Sequence, residues 1–409
     1  MPPEGTTLEH VRAPERPQPT RLAPGSIILF GLDPWTDYLQ TRQHIAHGLA
    51  ARGWPVTYTT GPHHIWERPG PKWRESKWFS SAGHADGVVL DHPGRWIMQL
   101  PRPALWNRLL GERYVDNLVR LAGWKDAKRR IAYVFHPEFQ PYIDRLGDCA
   151  VVYHADDSFL KMPQAPAFLA VRERTLVGRA DLVIATSPGV ARGLPGDGAA
   201  RAKVLQNGAD IAFFMRESAG PCPTDLAKIP PPRIGYCGTI NPKVDLGLIA
   251  GVAVHRPDWS WVFVGKLIPD AISADPRTAA AKAVLDTLPN VHFLGPKPYA
   301  DLPRYQANMD INTLCYRTDP GGWWEDVSPL KLYEHLAVGQ PVIGADLEVL
   351  RPLHQVVSIA RSLQEWLSAI ENGLRGGVGS RASRRAATTG HGWDSIAAQL
   401  EDWILEQHG

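Results

Sequence analysis

Hydrophobic residues along this chain follow two alternating periods. Short apolar runs such as "SIILFGL" at 26–32 and "PVTYTT" at 55–60 are typical of buried strands. The segment between them repeats apolar residues at three- and four-residue spacing, which predicts an amphipathic helix. This alternation continues along most of the chain and predicts an α/β protein with doubly wound parallel sheets.

Two series of alternating strands and helices are separated by a proline-rich stretch, "MRESAGPCPTDLAKIPPP". The chain of 409 residues is longer than one hydrophobic core usually spans, so two domains are expected. We predict a disordered leader at 1–24, a Rossmann-like domain at 25–215, a linker at 216–232, a second Rossmann-like domain at 233–385 and a C-terminal helix at 386–409, for which a return to the first domain is one option.

The amino-acid composition argues against several classes of protein. The net charge of +2, without runs of Lys and Arg interleaved with aromatics, argues against a nucleic-acid partner. No apolar run approaches the ~20 residues that cross a bilayer. Four widely separated cysteines fit reduced thiols in the cytoplasm.

The loop after the predicted strand "DINTLCY" carries the clearest binding pattern. Parallel sheets bind ligands beyond the carboxyl ends of their strands, and two facing domains form a cleft there. Ser328 and Pro329 predict a helix N-cap and a first-turn proline, with free N–H groups near Leu330 and Lys331 that favour an anion.

Lys331 and Glu334 lie one helical turn apart at this helix start. A lysine beside the free N–H groups and a carboxylate for two hydroxyls would suit a diphosphate and a ribose. The alternative is a solvated surface ion pair, which is common and weak. Gly238 ends the first strand of the second series, where the backbone could approach a phosphate or simply turn.

His154, Asp156 and Asp157 end the predicted strand "CAVVYHADD" at the carboxyl edge that faces the cleft. A positioned carboxylate could take the proton from an attacking hydroxyl, although one of the two could serve only as a helix cap. Adjacent residues of an extended strand point to opposite sides, so one carboxylate should face the cleft.

The stretch "SPLKLYEHLAVGQPVIG" resembles the donor-binding segment of glycosyltransferase family 4. Seven residues separate Asp326 from Glu334, as in the family's pair of glutamates, with Asp in place of the first. The segments "DLVIATSPGVARGL" and "KVLQNGADIAFF" also resemble this family and the xanthan glucuronosyltransferase-like enzymes. The resemblance covers most of residues 26–375 and implies a GT-B fold, in which two Rossmann-like domains face a cleft.

This resemblance implies transfer of a sugar from a nucleoside diphosphate to a hydroxyl acceptor in bacterial polysaccharide, glycolipid or natural-product synthesis. UDP-sugars are favoured over GDP-sugars, with no other cofactor and no metal ligands. Glu334 would bind the ribose, Lys331 the diphosphate and Asp326 the sugar. The implied donor-binding residues are Gly238, Thr239, Lys297, Tyr299, Asp326, Ser328, Leu330, Lys331 and Glu334.

The resemblance leaves the mechanism open between two outcomes. An inverting enzyme would use Asp157 as its base, with Asp156 as the next choice. A retaining enzyme would instead use His154 to hold the donor sugar. A nucleotide-sugar 2-epimerase and a non-catalytic nucleotide-binding protein are further alternatives, whereas the lack of G-x-G-x-x-G after either first strand argues against a dinucleotide oxidoreductase.

The loop at 61–79 mixes tryptophan and phenylalanine with Arg and Lys. Such side chains suit an anionic membrane surface on the inner face or a lipid-linked acceptor. The alternative is that Trp66, Trp73, Trp78 and Phe79 pack on their own domain.

Overall fold

The computed structural model describes residues 25–36, 39–65, 68, 70–100, 104–162 and 165–407. The predicted leader at 1–24 and Trp66 lie outside the described residues. Two large sheets organise the chain, one formed by strands before residue 205 and the other by strands after residue 232.

The first large sheet has eight strands in the order β10-β9-β8-β7-β1-β2-β5-β4. All neighbours are parallel except the edge strand β4, which pairs antiparallel with β5. Strands β3 and β6 form a separate parallel ribbon. The bounds are β1 Ser26–Phe30, β2 Val56–Thr59, β3 His63–His64, β4 Ser81–Ala85, β5 Val88–His92, β6 Met98–Gln99, β7 Arg130–Val134, β8 Ala150–Ala155, β9 Leu182–Ala185 and β10 Lys203–Val204.

The second sheet has six parallel strands in the order β13-β12-β11-β14-β15-β16. This is the strand order of a classical Rossmann sheet, with the crossover between β11 and β14. The predicted α/β, doubly wound fold class is confirmed. The bounds are β11 Arg233–Cys237, β12 Ser260–Val264, β13 Val291–Phe293, β14 Ile311–Leu314, β15 Val342–Ala345 and β16 Val357–Ala360.

Helices connect most of the strands, and three further helices follow the last strand. They are α1 Thr41–Ala51, α2 Pro71–Glu75, α3 Ala104–Leu121, α4 Gln140–Ile143, α5 Phe168–Arg179, α6 Pro188–Gly193, α7 Gly198–Arg201, α8 Ile211–Glu217, α9 Leu246–His255, α10 Pro269–Ala274, α11 Pro276–Leu285, α12 Leu302–Ala307, α13 Lys331–Val338, α14 Leu363–Leu374, α15 Arg381–Ala386 and α16 Trp393–Glu406.

Strand β1 shows why the apolar runs are continuous. Ile28 and Phe30 belong to the core cluster that contains Leu118 of α3, whereas Ile27 and Leu29 belong to the cluster on the opposite face with α1. Because helices cover both faces of the sheet, every position of the strand is buried.

The C-terminal helix α16 packs against α1, beside the first sheet. Gly48 makes room for this contact, since a Cβ there would lie 2.6 Å from the Cβ of Ala397. The indole Nε1 of Trp54 donates to Glu401 Oε1 at 2.9 Å. The end of the chain therefore lies on the sheet formed by its beginning.

Candidate active site

A cavity of about 230 Å³ lies between residues that follow the carboxyl ends of the two sheets. The first half of the chain contributes Gln40, Thr41, Arg42, Asp156, Asp157 and Asn207. The second half contributes Cys237, Gly238, Thr239, Lys243, Leu302, Gln306, Tyr316, Trp323, Val327, Ser328, Pro329, Leu330, Lys331 and Glu334. Most of the predicted site residues therefore line one enclosed space.

Lys331 is the first residue of α13 and points into this cavity. Its Nζ donates to the hydroxyl of Tyr236 at 2.9 Å and lies 4.1 Å from the centre of that ring. Burial and the nearby charge of Lys243 lower the pKa of Lys331 to about 7. An anion in the cavity would reverse this shift by favouring the charged ammonium.

Glu334 lies on the next turn of α13 and also lines the cavity. Gln306 Nε2 is 3.5 Å from its carboxylate, and burial raises the pKa of Glu334 to about 7. Lys331 and Glu334 are thus half-buried and line a shared cavity, so the alternative of a solvated surface pair is wrong.

Lys243 is a second cation of the cavity that the sequence analysis did not identify. It follows β11, and its Nζ lies 5.8 Å from the ring centre of Tyr316 and 5.6 Å from that of Trp323. Burial lowers the pKa of Lys243, while Asp157 raises it. Its place in the loop after the first strand of the second sheet is the signal that could have identified it.

Gly238 makes room for Lys331. Its φ is +140°, and a Cβ there would lie 2.2 Å from Lys331 Nζ. Its own N–H donates to Val264 O at 2.8 Å. Glycine is therefore needed at position 238 because a side chain there would collide with Lys331. Its N–H already donates to Val264 and is not directed at the cavity.

The predicted helix cap at Ser328 is wrong, because α13 begins at Lys331 with Leu330 as its N-cap. Ser328 instead contacts Asn207 from the first half of the chain. Asn207 Nδ2 donates to Ser328 O at 2.7 Å, and Asn207 N donates to Ser328 Oγ at 3.4 Å. This contact holds the loop before α13 in place, with Leu330 still at the cavity.

Asp156 and Asp157 both line the cavity. The prediction that only one of them would face the cleft is wrong, because β8 ends at Ala155, before both residues. The two carboxylates differ in their partners. Asp156 Oδ2 is 2.8 Å from Arg42 Nη2, and Arg42 also pairs with Asp33. Burial and then the charge of Asp156 raise the pKa of Asp157 to about 7, while Lys243 opposes this shift. Burial raises the pKa of Asp156 as well, but the ion pair with Arg42 opposes that shift. For Asp157 the pKa is raised to about 7.

His154 lies within β8 and is buried, outside the lining of the cavity. Its Nδ1 is 2.8 Å from the hydroxyl of Tyr133, and its ring stacks on Phe135. Burial lowers the pKa of His154 to about 3, so the ring is neutral.

Asp326, which the resemblance implies to contact the donor sugar, bonds to residues of the first half of the chain. Its carboxylate accepts from Ser158 Oγ at 2.6 Å and from Lys161 Nζ at 2.7 Å, and its carbonyl accepts from Ser187 Oγ at 2.6 Å. Asp326 therefore ties the loop before α13 to the first half of the chain. It is outside the lining of the cavity.

Lys297 and Tyr299 also lie outside the lining of the cavity. Lys297 Nζ is 2.7 Å from Asp225 Oδ2, and the ring of Tyr299 stacks on Phe213 with centres 5.6 Å apart. From this part of the chain, Leu302 and Gln306 of α12 reach the cavity instead.

The described residues contain no group of three or more His, Cys, Asp or Glu side chains that could hold a metal ion. Within the same ranges, no helix combines the length and hydropathy needed to span a membrane.

Comparisons with known proteins support the resemblance seen in the sequence. Residues 40–208 match the family described as a glycosyl transferase 4-like domain. A Bacillus subtilis protein, TuaH, named as a teichuronic acid biosynthesis glycosyltransferase, is 34% identical over 151 residues. The matched segment spans 36% of this chain and 36% of TuaH, about a third of each.

Solved structures match nearly the whole chain. Sucrose-phosphate synthase of Thermosynechococcus elongatus has a TM-score of 0.69 at 15% identity, covering 93% of this chain and 98% of that one. Anabaena HepE, solved with UDP and glucose, has a TM-score of 0.63 at 18% identity, covering 93% and 99%. An α,α-trehalose-phosphate synthase of Burkholderia xenovorans, described as UDP-forming, has a TM-score of 0.65 at 9% identity, covering 94% and 100%. The chain therefore has the GT-B fold of these solved structures, and its residues 40–208 are similar to the glycosyl transferase 4-like domain.

Proposed function

We propose that this protein transfers a sugar from a nucleoside diphosphate, with UDP favoured over GDP, to a hydroxyl group of an acceptor. The observation that carries the proposal is that Lys331, Glu334 and Asp157 line one cavity between the two sheets. These three side chains supply a cation for a diphosphate, a carboxylate for ribose hydroxyls and a base for an acceptor.

The donor would lie against the second sheet. Lys331, Lys243 and the first turn of α13 would face the diphosphate, and their positive charge would stabilise the leaving group as the bond to the sugar breaks. Glu334 would accept hydrogen bonds from the ribose. In this assignment the protein's own cations neutralise the leaving diphosphate, as expected of a metal-independent enzyme.

Asp157 would act as the general base. Its carboxylate would take the proton of the acceptor hydroxyl as that oxygen attacks the anomeric carbon and the carbon–oxygen bond to the diphosphate breaks. A pKa of about 7 suits a base that works near neutral pH. Asp157 lines the cavity and His154 does not, which favours inversion at the anomeric carbon.

Related proteins support the type of donor and the type of acceptor. HepE was solved with UDP and glucose, and the Burkholderia synthase is described as UDP-forming. TuaH is named for the synthesis of teichuronic acid, a polysaccharide. We propose a UDP-sugar donor and a polysaccharide or glycolipid acceptor, lipid-linked in its growing form, with the protein at the inner face of the membrane.

A screen of nucleotide sugars tests the proposal. Purified protein is incubated with a panel of UDP- and GDP-sugars, first with water and then with simple alcohols and lipid-linked sugars as acceptors. We expect release of UDP from one donor, increased by an acceptor, and a product of inverted anomeric configuration by NMR. No release from any donor would contradict the function, retention would contradict the role of Asp157, and conversion of the donor without an acceptor would indicate an epimerase.

A further inference from the structure

A groove of about 1200 Å³ runs between α3 and the segments at 78–80 and 94–97, apart from the candidate active site. Large apolar side chains stand exposed along it and on the first turns of α3. Their exposed fractions are 59% for Trp78, 76% for Phe79, 62% for Trp96, 64% for Leu105, 42% for Trp106 and 56% for Leu109. Monomeric proteins rarely leave such a group of large apolar side chains in water without a partner.

Trp73 shows that only one part of the loop at 61–79 has exposed aromatic side chains. Trp73 is buried, with its ring edge against His63 and the guanidinium of Arg68 5.1 Å from the ring centre. Trp78 instead contacts Trp96 at the rim of the groove. The loop at 61–79 thus combines local packing at Trp73 with an exposed aromatic surface that begins at Trp78.

The same region is strongly basic. Residues 70–130 contain twelve Lys and Arg but six Asp and Glu, a net charge of +6, whereas the whole chain carries +2. Arg113, Arg120 and Lys125 line the groove, where Asp116 and Asp126 are the acidic residues. The groove thus holds three cations and two carboxylates, a net charge of +1, beside the exposed aromatic rings.

We infer that this groove and its aromatic rim bind the surface of an anionic phospholipid bilayer. Tryptophan and phenylalanine insert at the level of the headgroups, and arginine and lysine contact the lipid phosphates while their stems remain in apolar surroundings. The charge of the region selects an anionic surface over a neutral one. An acidic protein partner would meet the cations but would leave the protruding rings of Trp78 and Phe79 without an apolar phase.

This attachment would bring a lipid-linked acceptor to the proposed transferase. Only this consequence rests on the proposed function; the membrane binding itself does not. Membrane binding is measured without nucleotide or acceptor. Failure to bind vesicles would therefore leave the donor site untouched, and failure of the transferase assay would leave the membrane surface untouched.

Vesicle flotation tests the inference. The full chain is mixed with vesicles of phosphatidylcholine alone or with added phosphatidylglycerol, at low and at high salt. We expect binding to the anionic vesicles at low salt, a loss of about tenfold or more at high salt because ions screen the lipid charge, and little binding to phosphatidylcholine. Absence of binding to anionic vesicles at low salt, or equal binding to both compositions, would overturn the inference.

Variants test whether the vesicles bind this surface or bind exposed apolar side chains in general. The double variant Trp78→Ser with Phe79→Ser, at two exposed positions, should weaken vesicle binding about tenfold or more. Phe168→Ser is the matched control, because Phe168 is 48% exposed and lies under Arg172 on α5, outside the groove. Circular dichroism checks folding of both variants. Equal binding of the double variant and the wild type would overturn the inference, as would an equal loss in the control.

The basic residues are tested in the same assay. Arg120→Glu, in the groove, should weaken binding to anionic vesicles several-fold, and Arg375→Glu, an exposed residue of the second half of the chain, should not. Equal effects of the two charge reversals would mean that binding follows net charge alone, which would overturn the assignment to this surface.

Discussion

The donor side and the acceptor side of the cavity are built in different ways. On the proposed donor side, Lys331 and Glu334 are fixed by a single helix, and Lys243 joins them from the loop after β11. On the acceptor side, the roles of two adjacent aspartates depend on Arg42, more than a hundred residues earlier in the chain. The comparison shows that two side chains of the proposed donor site lie on one helix, whereas the difference between the two aspartates depends on a residue distant in sequence.

Both sides nevertheless hold groups that titrate near neutral pH. The pKa values of Lys331, Glu334 and Asp157 are all shifted to about 7, with burial as the largest cause in each case. On the donor side these shifts would be reversed by the bound ligand, because it supplies the missing charge or hydroxyl. On the acceptor side the shift would be used directly, since a base must first accept and later release a proton.

The largest effect is expected on the acceptor side. Asp157→Asn should lower turnover by roughly 10²–10⁴-fold, the usual contribution of a general base, while nucleotide affinity stays near that of the wild type. Steady-state turnover and calorimetric affinity for UDP measure the two quantities.

The matched control for this prediction is Asp156→Asn. Asp156 is paired with Arg42, so its loss should reduce turnover much less than loss of Asp157. If Asp156→Asn has the larger effect, the roles of the two aspartates are exchanged. If neither variant loses turnover while His154→Ala does, the inverting mechanism is contradicted.

On the donor side, Glu334→Ala should weaken nucleotide binding by roughly 10- to 100-fold. The variant loses a charged acceptor of hydrogen bonds from the ribose, a contribution on the order of 2 kcal/mol. Calorimetry with UDP and GDP measures it, and Glu325→Ala, in the preceding loop and outside the cavity lining, is the control. Unchanged affinity for both nucleotides would remove Glu334 from the site.

The pH dependence of UDP affinity should follow a bell shape with its maximum near neutral pH. A bound diphosphate raises the pKa of Lys331 above about 7, so affinity falls above that pH, by up to about tenfold per pH unit. Ribose hydroxyls lower the pKa of Glu334 below about 7, so affinity falls on the acidic side.

Two variants test the alkaline and the acidic limb of this pH profile of UDP affinity separately. Lys331→Arg should remove the fall on the alkaline side, because arginine stays protonated, and Glu334→Gln should remove the fall on the acidic side. Because UDP itself titrates identically in every experiment, the comparison with the wild type isolates the protein groups. Retention of both limbs in both variants would place the titrating groups elsewhere.

The smallest effect on binding is expected at Asp326. Its carboxylate bonds to Ser158 and Lys161, so Asp326→Asn should lower the free energy of unfolding by about 1 kcal/mol and change UDP-sugar affinity less than about threefold. Thermal unfolding and calorimetry measure the two. A large loss of affinity for the UDP-sugar without a loss for UDP would instead show that Asp326 contacts the sugar.

The fold was predictable from the sequence because many of the buried parallel strands, such as β9, are short runs of apolar residues. Strand β4 escaped prediction, since its sequence "SAGHA" is small, polar and half exposed at the edge of the sheet. Its turn to β5 uses Asp86 and Gly87, both with positive φ, which is a hairpin signal in the sequence.

The candidate site was predictable where one helix carries it. Lys331, Glu334 and Gly238 were found because a helix start and a strand end are local features. Arg42 and Gln306 were not, because they reach the cavity only through the packing of α1 and α12. The contacts of Asp326 with Ser158 and Lys161 join residues more than 160 positions apart, which no local pattern shows.

A crystal structure of the protein with UDP tests the central claim most directly. The account predicts the diphosphate in the cavity between the two sheets, within hydrogen-bonding distance of Lys331 and Lys243, with the ribose hydroxyls on the carboxylate of Glu334 and Asp157 facing the end of the diphosphate. UDP bound elsewhere, or bound in this cavity with its ribose away from Glu334, would contradict it.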